Sequence, residues 1–414
     1  MAADGQQPAD GERAPRRGPA SQQDMRRQNL ALVMRTVAAE HPLSRADVAG
    51  RTGLTRTAVS SLVDELIGGG LLVEGELERS GRVGRPGRAL MLNDSGPAGL
   101  GLEVGVEHLG ACVLDLRGDV RVELHRPAPN TARSAEQTLA ELAELAAQAE
   151  AEAVALGLRV VGRVLAVPGS VRVPPDGSGH YLEHAPNLDW HHLDLATEWP
   201  GPGTAPAVEN EANLGALAEL WQGVGSGTFV HISAGEGIGG ALVLDGRLFR
   251  GVQGFAGELG HLTVRPDGRP CSCGARGCLE PYAGLAAVLR AADLTIPHTA
   301  DAVAELASAA TAGNPAALRA LRHAGTALGT ALAAAVNLID PTTLVLGGAY
   351  ADLAHWLLPA MRTELAALIR VRPWPEDALR ASPLARRGPV RGAALTTVHR
   401  LRTDPASLWQ PETT

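Results

Sequence analysis

The stretch GHLTVRPDGRPCSCGARGCLE, Gly260 to Glu280, places three of the chain's four cysteines within eight positions, with a histidine ahead of them. Thiolates and an imidazole are the ligands of tetrahedral zinc. His261, Cys271, Cys273 and Cys278 make a complete set of four on a loop turned by Gly268, Gly274 and Gly277. A full set leaves no position for water or substrate, so the expected Zn2+ is structural rather than catalytic. The C-x-C spacing departs from the common C-x-x-C knuckle, and a loop of free thiols is the competing reading. Cys112, in a strand-like run, reads as ordinary core.

Composition favours metal over disulfides. No apolar run approaches the roughly 18 residues of a membrane span, and Met1 to Gln23 is polar, without the apolar core of a secretion signal. The expected location is therefore cytoplasmic, a reducing compartment where clustered cysteines hold metal. A chain of 414 residues predicts two or three compact units. Every basic residue is an arginine, which excludes Schiff-base chemistry and a P-loop lysine. The net charge of -8 is uneven: residues 1–95 hold 13 arginines against 12 acids, residues 96–414 hold 24 against 33. RSGRVGRPGR, Arg79 to Arg88, has four arginines and no acid. That asymmetry fits a nucleic-acid-binding module on an acidic body.

Residues 1–24 lack apolar periodicity and read as a disordered tail. From Met25, Leu30, Val33, Met34 and Val37 recur at helical spacing; Ser44 and Thr55 then stand as N-caps of two further helices separated by TGL. Two strand-like runs flank the arginine-rich loop, so residues 25–94 read as a winged helix-turn-helix. Arg56, Thr57, Ser60 and Ser61 fall near the start of the third helix, the end that enters a major groove. Arg82, Arg85 and Arg88 fall in the wing. A helical hairpin for packing is the competing reading, against which the wing is too polar. From residue 95 strands alternate with helices, which predicts an α/β body over 95–414. Its two similar lobes, roughly 95–207 plus the C-terminal helix and 208–390, would flank a cleft.

GELGHLTV…CSCGARGCLE closely resembles the signature of the ROK family, bacterial sugar kinases and sugar-responsive repressors on an actin-like two-lobed fold. APNLDW (Ala185 to Trp190), VENEANLGAL (Val208 to Leu217) and DPTTLVLGG resemble further family segments in the family's order. The resemblance runs from about residue 25, because the repressor branch carries an N-terminal winged helix-turn-helix. It implies a sugar site at Asn210, Glu211, Glu258, His261 and Glu280, with His261 shared between zinc and sugar. Carboxylates and amides suit a ring of vicinal hydroxyls. Gly169 in VPGS either lets backbone approach the sugar or is a plain turn glycine.

The kinase motifs are altered. EVGVEH, Glu103 to His108, stands where the kinases read D-x-G-G-T-K, with Val106 adding bulk and Glu107 a negative charge. GEGIGG, Gly235 to Gly240, has Glu236 where they carry a small hydroxyl residue, and Glu211 replaces the aspartate base. The expectation is a regulator rather than an enzyme: a homodimer or dimer of dimers that binds palindromic operator DNA, most simply a repressor, and answers to a sugar it does not phosphorylate. Two alternatives stay open: an ATP-dependent sugar kinase, of hexokinase or N-acetylhexosamine kinase type, with an autoregulatory DNA-binding domain, and a DNA-binding protein whose sugar site only supports dimerisation.

Overall fold

The structure, a computed structural model, describes residues 21–76, 88–172, 179, 181–235, 237–295 and 301–409. Arg82, Arg85 and Glu236 lie outside the described residues. The chain divides into two compact units, residues 1–91 with 402–414 and residues 92–401. The boundary falls three residues before the expected one. The terminal segment, expected with the body, groups with the first unit.

In the first unit α1 (Gln22–Glu40), α2 (Arg45–Thr52) and α3 (Arg56–Gly68) precede a two-stranded sheet of β1 (Leu72–Glu76) and β2 (Arg88–Leu92). Ser21 and Ser44 close capping boxes with Asp24 and Asp47, satisfying amides that a helix start leaves unpaired. The first helix therefore begins inside the segment expected as tail. Thr55 accepts from the Ala58 amide to start α3, and Gly53, at φ 71°, ends α2 in a conformation glycine adopts without strain. Val33, Met34, Val37, Val59, Val63 and Leu66 are buried together. The end of the chain seals this unit: Arg27 donates through Nε (2.7 Å) and Nη2 to Asp404. The Trp409 ring fills the space a Cβ on Gly69 would need.

The second unit opens with β3 (Pro97–Val104), β4 (His108–Leu114), β5 (Val120–Pro127), α4 (Ala135–Ala155) and β6 (Arg159–Val167). The hairpin strands β7 (Ser170–Arg172), β8 (Tyr181–Ala185) and β9 (Trp190–Asp194) follow, then α5 (Leu195–Glu198), β10 (Ala207–Asn210) and α6 (Glu211–Trp221). The second half runs through β11 (Phe229–Ala234), β12 (Ile238–Leu244), β13 (Arg247–Phe249), α7 (Glu280–Ala283), α8 (Leu285–Ala291), α9 (Ala302–Thr311) and α10 (Pro315–Ile339). It ends with β14 (Thr343–Gly347), α11 (Gly348–Asp352), α12 (Ala354–Leu368), β15 (Leu379–Ala381) and α13 (Gly388–Thr403).

Two five-stranded sheets repeat one plan, β5-β4-β3-β6-β10 and β13-β12-β11-β14-β15. In each, an antiparallel meander is extended by two parallel strands. The expected α/β body of two similar lobes is thus built by duplication of one topology. Helix α13 lies on the first sheet. Gly99 and Gly101, alternating onto one face of β3, let its backbone come close: a Cβ on either would lie 2.4 and 2.0 Å from the carbonyls of Ala394 and Val390.

His231, on the central strand β11, is 4% exposed and wedged between Gly215 of α6 and Gly347 of β14. Its Nδ1 has no hydrogen-bond partner among the described residues, and burial pushes its pKa from 6.5 down to about 4. The folded protein therefore refuses a proton that the unfolded chain binds. This group's contribution is intact above pH 6.5 and is lost as pH falls toward 4, at up to about 1.4 kcal/mol per unit. His231→Leu should remove that slope, so its unfolding free energy should gain about 2 kcal/mol on the wild type between pH 7 and pH 5. A difference constant across that range would refute the assignment.

Candidate functional site

A cavity of about 290 Å³ opens in the second unit where the first turn of α6, the β6–β7 turn, the start of β12 and the segment from Arg250 to Glu258 meet. Asn210, Glu211, Glu258, Glu280 and Gly169, five of the six residues expected at a sugar site, line it. His261 is not among the lining residues.

The five play different parts. Asn210 caps α6, its Oδ1 accepting from the amides of Ala212 and Asn213 (2.9 and 3.2 Å), while its Nδ2 donates to the Gly169 carbonyl (2.8 Å). Its amide is thus spent on holding the cavity wall. A Cβ on Gly169 would lie 2.5 Å from the His184 carbonyl, so the close approach it permits is that of strand β8. Glu280 accepts the Ile238 amide (2.9 Å). Glu258 is exposed to the cavity, and its carboxylate has no hydrogen-bond or ion-pair partner among the described residues, its backbone carbonyl accepting from the His261 amide (3.1 Å). Glu211 follows the cap as the first residue of α6.

The sequence did not disclose the cavity's other polar residues. Glu209, buried, accepts from the Asn210 amide and Asn213 Nδ2 (2.9 Å each) and from Arg250 Nε (3.1 Å) and Nη2. Its charge is matched by a residue 41 positions away, a pairing without a local signal. His184 lines the cavity from β8 and stacks on its cross-strand neighbour His191, ring centroids 4.5 Å apart.

The cysteine loop adjoins this wall. His261, Cys271, Cys273 and Cys278 offer ligand atoms that all lie within 4.8 Å of one another. His261 Nδ1 is 3.7 Å from Cys271 Sγ, and Cys273 Sγ is 3.8 Å from Cys278 Sγ. Ligands at zinc-like bond lengths around a tetrahedral centre stand roughly 3.5–3.8 Å apart, so the donor set and its spacing fit a metal such as zinc. The loop is zipped above the cluster, Val264 N–H to the Gly277 carbonyl (2.8 Å) and Leu279 N–H to the Leu262 carbonyl (2.9 Å). Its two ends therefore carry Glu258 and Glu280 into the cavity at a fixed separation.

At the two glycine-bearing segments expected as altered phosphate loops, side chains of the chain itself lie close to the backbone. The His108 ring lies over Gly105, so close that a Cβ there would be 2.3 Å from it, and its Nε2 is 3.4 Å from Glu103. Burial opposes charge on this imidazole, but the hydrogen bond and field of Glu103, with the field of Glu211, outweigh it and raise its pKa. In the second loop, a Cβ on Gly237 would lie 2.6 Å from the Glu280 carboxylate that already holds the Ile238 amide.

In the first unit Arg56, Thr57 and Ser61 are exposed at the start of α3. Ser60 is half-buried, its carbonyl accepting from Arg45 Nη1 (3.3 Å). Arg56 makes no ion pair among the described residues, whereas Arg88 pairs with Glu74 across the hairpin (3.2 Å).

Similarity to known proteins agrees with this geometry. The xylose repressor of Bacillus subtilis (strain 168) is 28% identical over 354 residues, 84% of this chain and 89% of the repressor. The crystal structure of a ROK family transcriptional regulator, a homologue of the E. coli MLC protein, matches with TM-score 0.75 at 25% identity, covering 93% of this chain and 99% of its own. That coverage reaches into the first unit, since residues 92–401 are only about three-quarters of the chain. A ROK family glucokinase from Streptomyces griseus, solved with glucose and AMPPNP, matches with TM-score 0.60 at 27% identity over 72% of this chain and 98% of its own. The ROK sequence model itself matches residues 99–399, which take in both repeated sheets, the cysteine loop and the cavity. The chain belongs to the ROK family.

Proposed function

We propose that this chain is a sugar-responsive transcriptional repressor whose kinase-like body binds a sugar without phosphorylating it. The observation that carries the reading is the contrast within one cleft. Glu211, Glu258 and Glu280 present carboxylates to a cavity of sugar size, while His108 covers Gly105 and Glu280 holds the amide of the second phosphate loop. A nucleotide would have to displace side chains and bring phosphate among carboxylates. The likeness to the xylose repressor and to the MLC-like regulator over most of the chain supports the same reading. The metal is zinc, held by His261, Cys271, Cys273 and Cys278, and its part is structural.

The first unit is a winged helix-turn-helix. Helix α3 offers Arg56, Thr57, Ser60 and Ser61 to the major groove, and the wing offers Arg82, Arg85 and Arg88 to the backbone or minor groove. Two copies, as a homodimer, would meet the halves of a palindromic operator. Support for Arg56 as the base reader comes from its exposure at the helix start and from its making no ion pair among the described residues. Arg56→Ala should weaken operator binding by about 1–3 kcal/mol, roughly five- to a hundredfold, and relax preference at one base position in a gel-shift series. Unchanged affinity and unchanged preference would move the DNA-reading surface away from α3.

A further inference from the structure

We infer that the cavity holds a second subsite, beyond the hydroxyl-binding carboxylates, built for the second ring of a neutral disaccharide. The inference rests on the sugar reading above and narrows it to a ligand class. Two rings line the cavity besides the carboxylates. Phe255, 54% exposed, lines the cavity from the segment that ends in Glu258. His184 lines it from β8, its imidazole held flat against His191 at 4.5 Å and 20° between planes. An aromatic ring at the edge of a polar cavity offers an apolar face that a ligand entering the cavity can cover. The C–H-rich face of a pyranose is such a cover, and it packs on the face of an aromatic or imidazole ring.

The segment carrying Phe255 is shaped for this. Gly251, Gly254 and Gly257 take φ of 72°, 88° and 101°, backbone that other residues rarely adopt, and the repeated turns bring both Phe255 and Glu258 to the same cavity. The register of β8 on β9 sets His184 opposite His191, which fixes the imidazole before any ligand arrives. A cavity of about 290 Å³ lies near the lower end of the volumes that take ligands of drug size, and a single hexose ring leaves part of it empty. With Glu209 neutralised by Arg250, three carboxylates remain among the described lining residues, Glu211, Glu258 and Glu280. That excess of negative charge favours an uncharged ligand over a phosphorylated one.

Calorimetric titration of the full chain with glucose against maltose and cellobiose, and with xylose against xylobiose, tests this. At least one disaccharide should bind tenfold or more tightly than its monosaccharide. Phe255→Ala and His184→Ala should each bring that ratio toward one, whereas Glu258→Ala should weaken both members of the pair and preserve the ratio. Disaccharides no tighter than their monosaccharides, or a ratio that survives both Phe255→Ala and His184→Ala, would overturn the subsite while leaving the sugar reading intact. Failure of every sugar to bind would overturn both.

Discussion

Cys278→Ser should cost the body its metal, much of its stability and its sugar site at once. Cys278 is 1% exposed, and its thiol lies within 4.8 Å of the other three ligand atoms. Serine at this position removes one of four ligands from a closed site, and a structural zinc contributes its binding free energy directly to folding. If a few kcal/mol of that contribution is lost, the melting temperature should fall by on the order of 10 °C. Sugar affinity should fall with it, because the cluster sits at the base of the loop whose two ends bring Glu258 and Glu280 to the cavity. Elemental analysis should find about one zinc per wild-type chain and little in the variant, and chelation of the wild type should reproduce the variant's melting behaviour. Wild-type protein that carries no metal, or a variant of unchanged stability, would leave the four residues as a cluster of thiols without a structural role.

Where function is written in short stretches, the sequence was legible. Four candidate ligands lie within eighteen residues, and the caps Ser44 and Thr55 act on amides three positions ahead, so a local reading finds both. Pairings made by the fold are a different matter. Arg250 meets Glu209 across 41 residues, and Arg27 meets Asp404 across 377, so nothing local marks either bond. The second of these explains why the last residues, expected with the body, belong to the first unit.

Motif matching also assigned positions more securely than duties. Asn210 sits at the cavity as the resemblance implied, yet its amide is committed to the helix cap and to Gly169, geometry that only the packed backbone reveals. The departure from the phosphate-loop pattern was readable at Val106 and Glu107, not at His108. That its ring would fold over Gly105 and pair with Glu103 depends on the β3–β4 turn. One signal was present and unread: alternation of glycine in GLGLEVG marks a strand face left bare for a helix, here α13.

Glu258→Ala should separate sugar sensing from everything else the protein does. The Glu258 carboxylate faces the cavity and has no partner among the described residues, so truncating the side chain leaves the backbone bond to His261 in place and breaks no other bond among them. Without sugar, the variant should melt within the roughly 0.5 kcal/mol typical of exposed substitutions and should bind operator DNA like the wild type. With sugar, loss of one charged hydrogen-bond partner should cost about 1.5–3 kcal/mol, a ten- to hundredfold weaker affinity by calorimetry. A ligand shifts a regulatory equilibrium only through its differential affinity for the two states, so the variant should stay in the sugar-free state at sugar concentrations that switch the wild type. Neither protein should release ADP when given sugar and ATP. Glu211→Asp, which restores the aspartate of the kinases, should not awaken that activity either: the His108 ring still covers Gly105, and Glu280 still holds the Ile238 amide. Sugar-dependent ADP release by the wild type at ordinary kinase rates, on the order of 1–100 per second, would show that those side chains move aside for a nucleotide, and the body would then be an enzyme.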